Sequence, residues 1–427
     1  MQAARRPEAR VAPRGRDRPT VPANLDRLFR RTARAMICVL IASLPRLRSV
    51  QSSPIPIRCG ATGVIGWFAM TPFRSATTRR TMTSSRLEQM QANLTLAYVL
   101  NNAAVDGAGR ELKHPTASQV KKIIVDRLNG SKMTRNDRFE IAWGPAIVSD
   151  PNGEAANVTV VVQLAGSGEY TVVTSGTNFT SPLDVLSDFS YDTLEPFSAY
   201  VPNCPSDARI SAGTNGALYH VLKTPDESHQ TLVQFLSTVP PSSIVNVVGH
   251  SLGGALASAI VLYLKNQTGL QSLTYHCQTF AAPTAGNDVF AGYFDEQMRG
   301  NAVRIFTTRD IVPMAWNADS LQKVKHVYSD VPYHDTPDNV KVAVDMVSIA
   351  TNSLKYTQWG TSEPSGPVAT AMEYQLKADV NVAILDFQAQ VGFQHIDGYI
   401  ACLGMARSDI DLPPLPQVNP KVGKTPV

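Results

Sequence analysis

Apolar residues change their spacing along this chain, and the changes mark out its elements. From Ser85 the spacing is helical: Leu87, Met90, Leu94, Ala97 and Tyr98 recur mostly at three- and four-residue steps and would share one face. A second helix is predicted over Thr116 to Leu128, with Ile123, Ile124 and Leu128 inward and Gly130 as its stop. The period then shortens to that of strands. Val158 to Leu164 and Tyr170 to Thr174 are β-branched runs separated by Ala165-Gly166-Ser167-Gly168, which predicts a hairpin. Further strands are predicted at Ile244 to Val248, Thr274 to Phe280 and Val303 to Thr307. Helices are predicted at Gly253 to Lys265, Val289 to Met298 and Val340 to Leu354. Strands alternating with helices predict the α/β class, with a mainly parallel central sheet covered by helices on both faces.

The ends follow neither period. Residues 1–84 are rich in Arg, Pro, Ser and Thr and read as a disordered Arg-rich leader. Within it, the apolar stretch Ala35 to Leu44 is too short to span a bilayer. It has the length of a signal-peptide core, but a long arm precedes it and no small-x-small cleavage site follows. Two readings stay open: a targeting segment, or a leader upstream of a start at Met82 or Met90. The compartment, cytoplasmic or secreted, stays open with them. Residues 85–411 read as one domain and 412–427 as a Pro-rich tail.

Charge separates the same regions. Residues 1–90 hold 17 Arg, no Lys and four acids, a net of +13, so the overall +4 hides a body of net −9. A mildly acidic body excludes nucleic acid as the expected partner. The hydrophobic fraction of 43% supplies a sizeable core, and no stretch predicts an integral membrane span. The five cysteines, Cys38, Cys59, Cys204, Cys277 and Cys402, include no pair at metal-ligand spacing and imply no disulfide framework. No metal or organic cofactor is expected.

The strongest local signal is Gly249-His250-Ser251-Leu252-Gly253-Gly254. A G-x-S-x-G run occurs by chance in roughly one chain in seven of this length, so its context decides. Here it joins the apolar run I-V-N-V-V to the helical A-L-A-S-A-I-V-L-Y-L. A strand that turns sharply into a helix strains the serine backbone and exposes its Oγ, while small flanking residues let strand and helix approach. The helix N-terminus then directs N–H groups at any charge that develops there. A hydroxyl nucleophile needs a base, and the base needs a carboxylate to orient it. Asp310 follows the strand Val303 to Thr307 and would land at the sheet's carboxyl edge. Three histidines follow it: His326, His334 and His395. His250 itself reads as packing and local hydrogen bonding.

Several stretches, in one order, resemble the class 3 lipase family. They are Ser175-Gly176-Thr177 with Leu183-Asp184-Val185-Leu186-Ser187-Asp188-Phe189, then Ile210-Ser211-Ala212-Gly213, then Thr279-Phe280-Ala281-Ala282-Pro283-Thr284-Ala285-Gly286-Asn287, then Phe306-Thr307-Thr308-Arg309-Asp310-Ile311-Val312-Pro313. The resemblance spans about residues 85–402. Ser175, Val185 and Ala281 stand where the family has Arg, Trp and Gly.

The resemblance implies an α/β-hydrolase fold and a triacylglycerol lipase-like cleavage of the carboxylic ester bonds of lipids, with Ser251, Asp310 and His395 as catalytic residues. His395 is favoured by the stretch Val391-Gly392-Phe393-Gln394-His395-Ile396-Asp397-Gly398-Tyr399, with His334 as the alternative. It implies an oxyanion hole from Thr177 and Leu252. It also implies a lid carrying Leu183, Val185, Leu186 and Phe189, able to make transient contact with a lipid surface. The expected partner is a lipid or ester small molecule. Alternatives within the class are a phospholipase A1 or a short-chain or aromatic carboxylesterase. Outside it stands a non-catalytic lipid-binding relative.

Overall fold

The structure, a computed structural model, describes residues 84–176, 190–329, 336–360, 368–372 and 387–412. The leader up to residue 83, Thr177, the lid residues, His334 and the tail from 413 lie outside the described residues.

The chain opens with α1 (Ser84–Asn101) and α2 (Ala117–Gly130), followed by strands β1 (Phe139–Ser149), β2 (Ala155–Leu164) and β3 (Glu169–Thr174). A short pair, β4 (Leu194–Pro196) and β5 (Arg209–Ser211), precedes α3 (Ala212–Lys223) and α4 (Leu232–Leu236). The alternating part runs β6 (Ile244–His250), α5 (Leu252–Lys265), β7 (Thr274–Phe280), α6 (Asp288–Gln297) and β8 (Ala302–Thr307). Then come α7 (Ala318–Val324), α8 (Asp338–Thr351), β9 (Val368–Met372), α9 (Phe387–His395) and α10 (Asp397–Cys402).

Among the described residues the main sheet has seven strands in the order β1-β2-β3-β6-β7-β8-β9. β1, β2 and β3 pair antiparallel, and every pairing from β3 to β9 is parallel. The hairpin over Val158 to Thr174 is present, with Val161 opposite Val172. Alternation along the strands fills both faces. Val172, Val245 and Val247 pack on the α5 side with Leu256, Ile260 and Leu264. Val248, Phe280 and Ile305 pack on the other side with Leu94, Ala97 and Tyr98 of α1. The predicted α/β class, a mainly parallel sheet covered on both faces, is therefore the observed one.

Local chemistry sets the helix starts. Thr116 caps α2 by accepting from Gln119 N at 3.2 Å, within a reciprocal capping box. Asn287 caps α6 by accepting from Phe290 N at 3.0 Å. Strand β1 was not predicted. Its Gly144-Pro145 pair reads as a break, yet β1 is an edge strand, where a missing N–H costs no ladder bond. Its register shifts between Trp143 and Ala146 absorb the pair. Strand β9, V-A-T-A-M, is too short and too Ala-rich to signal β structure. Cys204 and Cys277 are buried and Cys402 half-buried, all three as free thiols.

Candidate active site

Strand β6 ends at His250 and α5 starts at Leu252, so Ser251 alone makes the turn. Its backbone takes φ 57 and ψ −131, a region that side chains normally avoid. A serine before a helix ordinarily spends its hydroxyl on capping; Ser251 makes no such bond. Instead its N–H donates to Phe280 O at 2.9 Å, tying the bend to the end of β7. Gly253 explains why the turn closes. A Cβ there would run into the Thr174 carbonyl at the end of β3 and fall 2.9 Å from Gly176 N. A Cβ on Gly249 would strike the Gly253 carbonyl. These two positions let β3, β6 and α5 meet at backbone distance.

That approach brings Gly176, the residue before Thr177, beside the start of α5. A Cβ on Gly176 would lie 3.4 Å from Leu252 N, so the chain leading to Thr177 passes directly over the first N–H of α5. Ser175, standing where the family has Arg, is buried and doubly held. Its Oγ accepts from Val158 N at 2.8 Å, and its carbonyl accepts from Asn157 Nδ2. Gly176 N–H donates to Asn101 Oδ1 at 3.2 Å.

Asp310 is fully buried just past β8. Its Oδ2 accepts from His395 Nδ1 at 2.9 Å and from the Tyr399 hydroxyl at 2.8 Å. Its Oδ1 accepts from Val312 N at 3.0 Å. A carboxylate can only accept, so the proton of His395 sits on Nδ1 and Nε2 carries the lone pair. Tyr399 also accepts from Thr307 N at 3.2 Å. Burial, and then the Asp310 charge, push its phenol well above the ordinary value, so it stays a donor.

His250, beside Ser251, packs 4.6 Å from the His395 ring, centroid to centroid. Burial holds its pKa far below the ordinary value, and protonation of His395 would push it in the same direction. The neutral ring faces two partners, the His395 carbonyl at 2.9 Å from Nε2 and Asn101 Nδ2 at 3.0 Å from Nδ1.

The structure thus brings Asp310 and His395 into a bonded pair and sets them, through His250, beside the strained turn of Ser251. Leu252 opens α5 at that turn. Thr177 and the lid residues Leu183, Val185, Leu186 and Phe189 lie outside the described residues, as does His334. Tyr399, Asn157 and Asn101 were not singled out from the sequence. Tyr399 had a signal, four residues after His395 on the next helix; the two asparagines had none, because their partners lie far along the chain. Among the described residues, no group of three metal-ligating side chains gathers, and no helix is long and apolar enough to cross a membrane.

A parallel sheet with a strained Ser at a strand-to-helix turn, and an Asp-His pair at its carboxyl edge, defines an α/β-hydrolase. Residues 171–320 match the family model described as Lipase (class 3). That stretch of the chain is similar to class 3 lipases. The chain is 30% identical over 144 residues to the secreted mono- and diacylglycerol lipase MDL4 of Malassezia globosa, covering 33% of this chain and 45% of that protein. It is 28% identical over 144 residues to the same organism's secreted mono- and diacylglycerol lipase LIP1, with the same coverage. The match thus spans about half the length of these relatives. Among solved structures, M37 lipase superposes with a TM-score of 0.63 at 27% identity, over 76% of this chain and 93% of that one.

Proposed function

We propose that this chain is a serine hydrolase that cleaves carboxylic ester bonds of lipids through an acyl-enzyme on Ser251. The observation that carries the reading is the His395 Nδ1–Asp310 Oδ2 bond of 2.9 Å beside the strained turn at Ser251. In this reading His395 Nε2 takes the Ser251 proton as Oγ attacks the ester carbonyl. Asp310 stabilises the imidazolium that forms and keeps its charge. The carbonyl oxygen gains negative charge and meets the N–H of Leu252; Thr177 is assigned the second donor by its place next to Gly176. Removal of one such donor typically costs about 2.7–4 kcal/mol of transition-state stabilisation. Collapse returns the proton to the leaving alcohol. Water, deprotonated by His395, then releases the carboxylic acid.

The names of the relatives, which give mono- and diacylglycerols, support the choice of substrate class. Partial glycerides are therefore the substrates we assign first. Both levels are tested together. A fluorophosphonate probe should label the wild type and fail on Ser251→Ala; a folded wild type that takes no label makes this chain a lipid binder and ends the hydrolytic reading. Initial rates on mono-, di- and triacylglycerols should favour the first two. Preference for triacylglycerols, or for a phospholipid, would overturn the assignment while leaving the hydrolase.

A further inference from the structure

Helix α1 holds the site from behind. Its last turn carries Tyr98 and Asn101 on one face, and both reach residues that the reaction depends on. The Asn101 amide is used at both ends. Its Oδ1 accepts from Gly176 N–H at 3.2 Å, one residue before Thr177. Its Nδ2 donates to His250 Nδ1 at 3.0 Å. With that nitrogen accepting, the proton of the neutral imidazole lies on Nε2, which donates to the His395 carbonyl at 2.9 Å. One residue on, the Tyr98 hydroxyl donates to the Ile396 carbonyl at 2.7 Å. The Tyr98 and His250 rings meet edge to face at 4.7 Å.

We propose that Asn101 is a positioning residue for the hydrolysis assigned above: through Gly176 N–H it fixes the loop that presents the oxyanion donor, and through His250 it fixes the backbone of the base. The inference rests on that assignment. Its physical basis is directional. Only a side chain with one acceptor and one donor at amide spacing satisfies both a backbone N–H and an imidazole lone pair. Three hydrogen bonds in series thus link Gly176 N–H to the His395 carbonyl, and a connected buried network rigidifies the groups it joins. A shift of the donor loop or of the base by a fraction of an ångström reaches the transition state far more than the ground state. Tyr98 secures the adjacent carbonyl independently, so the base should keep its general place when Asn101 is removed and lose only its fine alignment.

The test is a double-mutant cycle on purified full-length chain, with a short-chain nitrophenyl ester as substrate. Asn101→Ala should lower kcat about 10- to 100-fold, within the range seen for misplacement remote from the chemistry, and leave KM within about twofold. His250→Gln, which keeps a donor for the His395 carbonyl, should lose less. The double variant should be no slower than Asn101→Ala by more than about twofold, because both act through one path. A kcat for Asn101→Ala within twofold of wild type, a loss confined to KM, or losses that multiply would each overturn the proposal. Should Asn101→Ala fail to fold, Asn101→Ser, which keeps a hydroxyl for one of the two partners, is measured with the same criteria. Fluorophosphonate labelling of the wild type separates the two levels. No label on the folded wild type ends the hydrolase assignment; a labelled wild type with an unaffected Asn101 variant ends the positioning role alone.

Discussion

The nucleophile turn is built from constraints on single residues. Ser251 holds its left-handed backbone because Gly249 and Gly253 remove the atoms that would force the strand and helix apart. This much is visible in a linear motif, since the residues involved are neighbours. His250 is the contrasting case. Its place in the motif says nothing about its environment, which is set by Asn101, 149 positions away, and His395, 145 positions away. That environment has a thermodynamic consequence. Burial keeps His250 neutral in the folded chain well below its ordinary pKa of 6.5, whereas the unfolded chain takes up a proton there. Below about pH 6.5 the unfolded state therefore binds more protons, and stability falls as pH falls. Above that value both states are neutral and this contribution is constant. His276, whose pKa burial also lowers, adds in the same direction. Thermal midpoints measured from pH 8 to pH 5 should drop on the acid side, and His250→Gln should flatten part of the slope. An unchanged slope in that variant would assign the acid sensitivity to other groups.

At the scale of elements, the difference between what was legible and what was not follows the source of each signal. Helices with a long apolar period and strands with β-branched runs were readable: α1, α2, β2, β3, β6, α5, β7, α6, β8 and α8 all fall where the pattern put them, within a few residues. β1 and α3 were not, since Gly144-Pro145 and the glycines at 213 and 216 interrupt both periods. Tertiary placement overrides those local breaks. Helix α1 shows how a readable element acquires a role that its pattern does not state. The face marked by Leu94, Ala97 and Tyr98 does pack on the sheet, against Val248, Phe280 and Ile305. Because Asn101 continues that face, docking by apolar contact also delivers its amide to the site. Leu94 is completely buried at this contact. Leu94→Ala should therefore cost about 2–5 kcal/mol in a denaturant titration through lost contact and a cavity. It should also weaken activity more than its stability loss alone accounts for at temperatures where the protein stays folded. A stability loss under about 1 kcal/mol would mean that α1 is not anchored by this face.

For the molecule as a whole, the segment that the family model matches is shorter than the body whose sheet and core it shares. Residues 171–320 contain Ser251 and Asp310 but neither α1 nor His395, which lies on α9. They also leave the sheet cut on both sides. Without β2 the edge of β3 is unpaired, and without β9 the edge of β8 is unpaired. The core is cut as well. Trp143, Ala146 and Val161 belong to the cluster under α5, and the cluster on the opposite face loses Leu94, Tyr98 and Tyr399 at once. The two ends of the described body meet each other too: Gln91 Nε2 donates to Leu403 O at 2.8 Å, and Arg127 donates to Asp411 O at 3.1 Å. Hydrophobic burial scales with the area covered, so removal of one whole face of a sheet leaves too little to offset chain entropy. A polypeptide of residues 171–320 should therefore lack a cooperative thermal transition and show little near-ultraviolet circular dichroism, where the full-length chain shows both. A sharp, reversible transition in the fragment would mean that the parallel strands and α5 suffice alone. In that case the flanking helices would be additions to a finished fold, and positioning through α1 would be a refinement rather than a part of how the fold assembles its site.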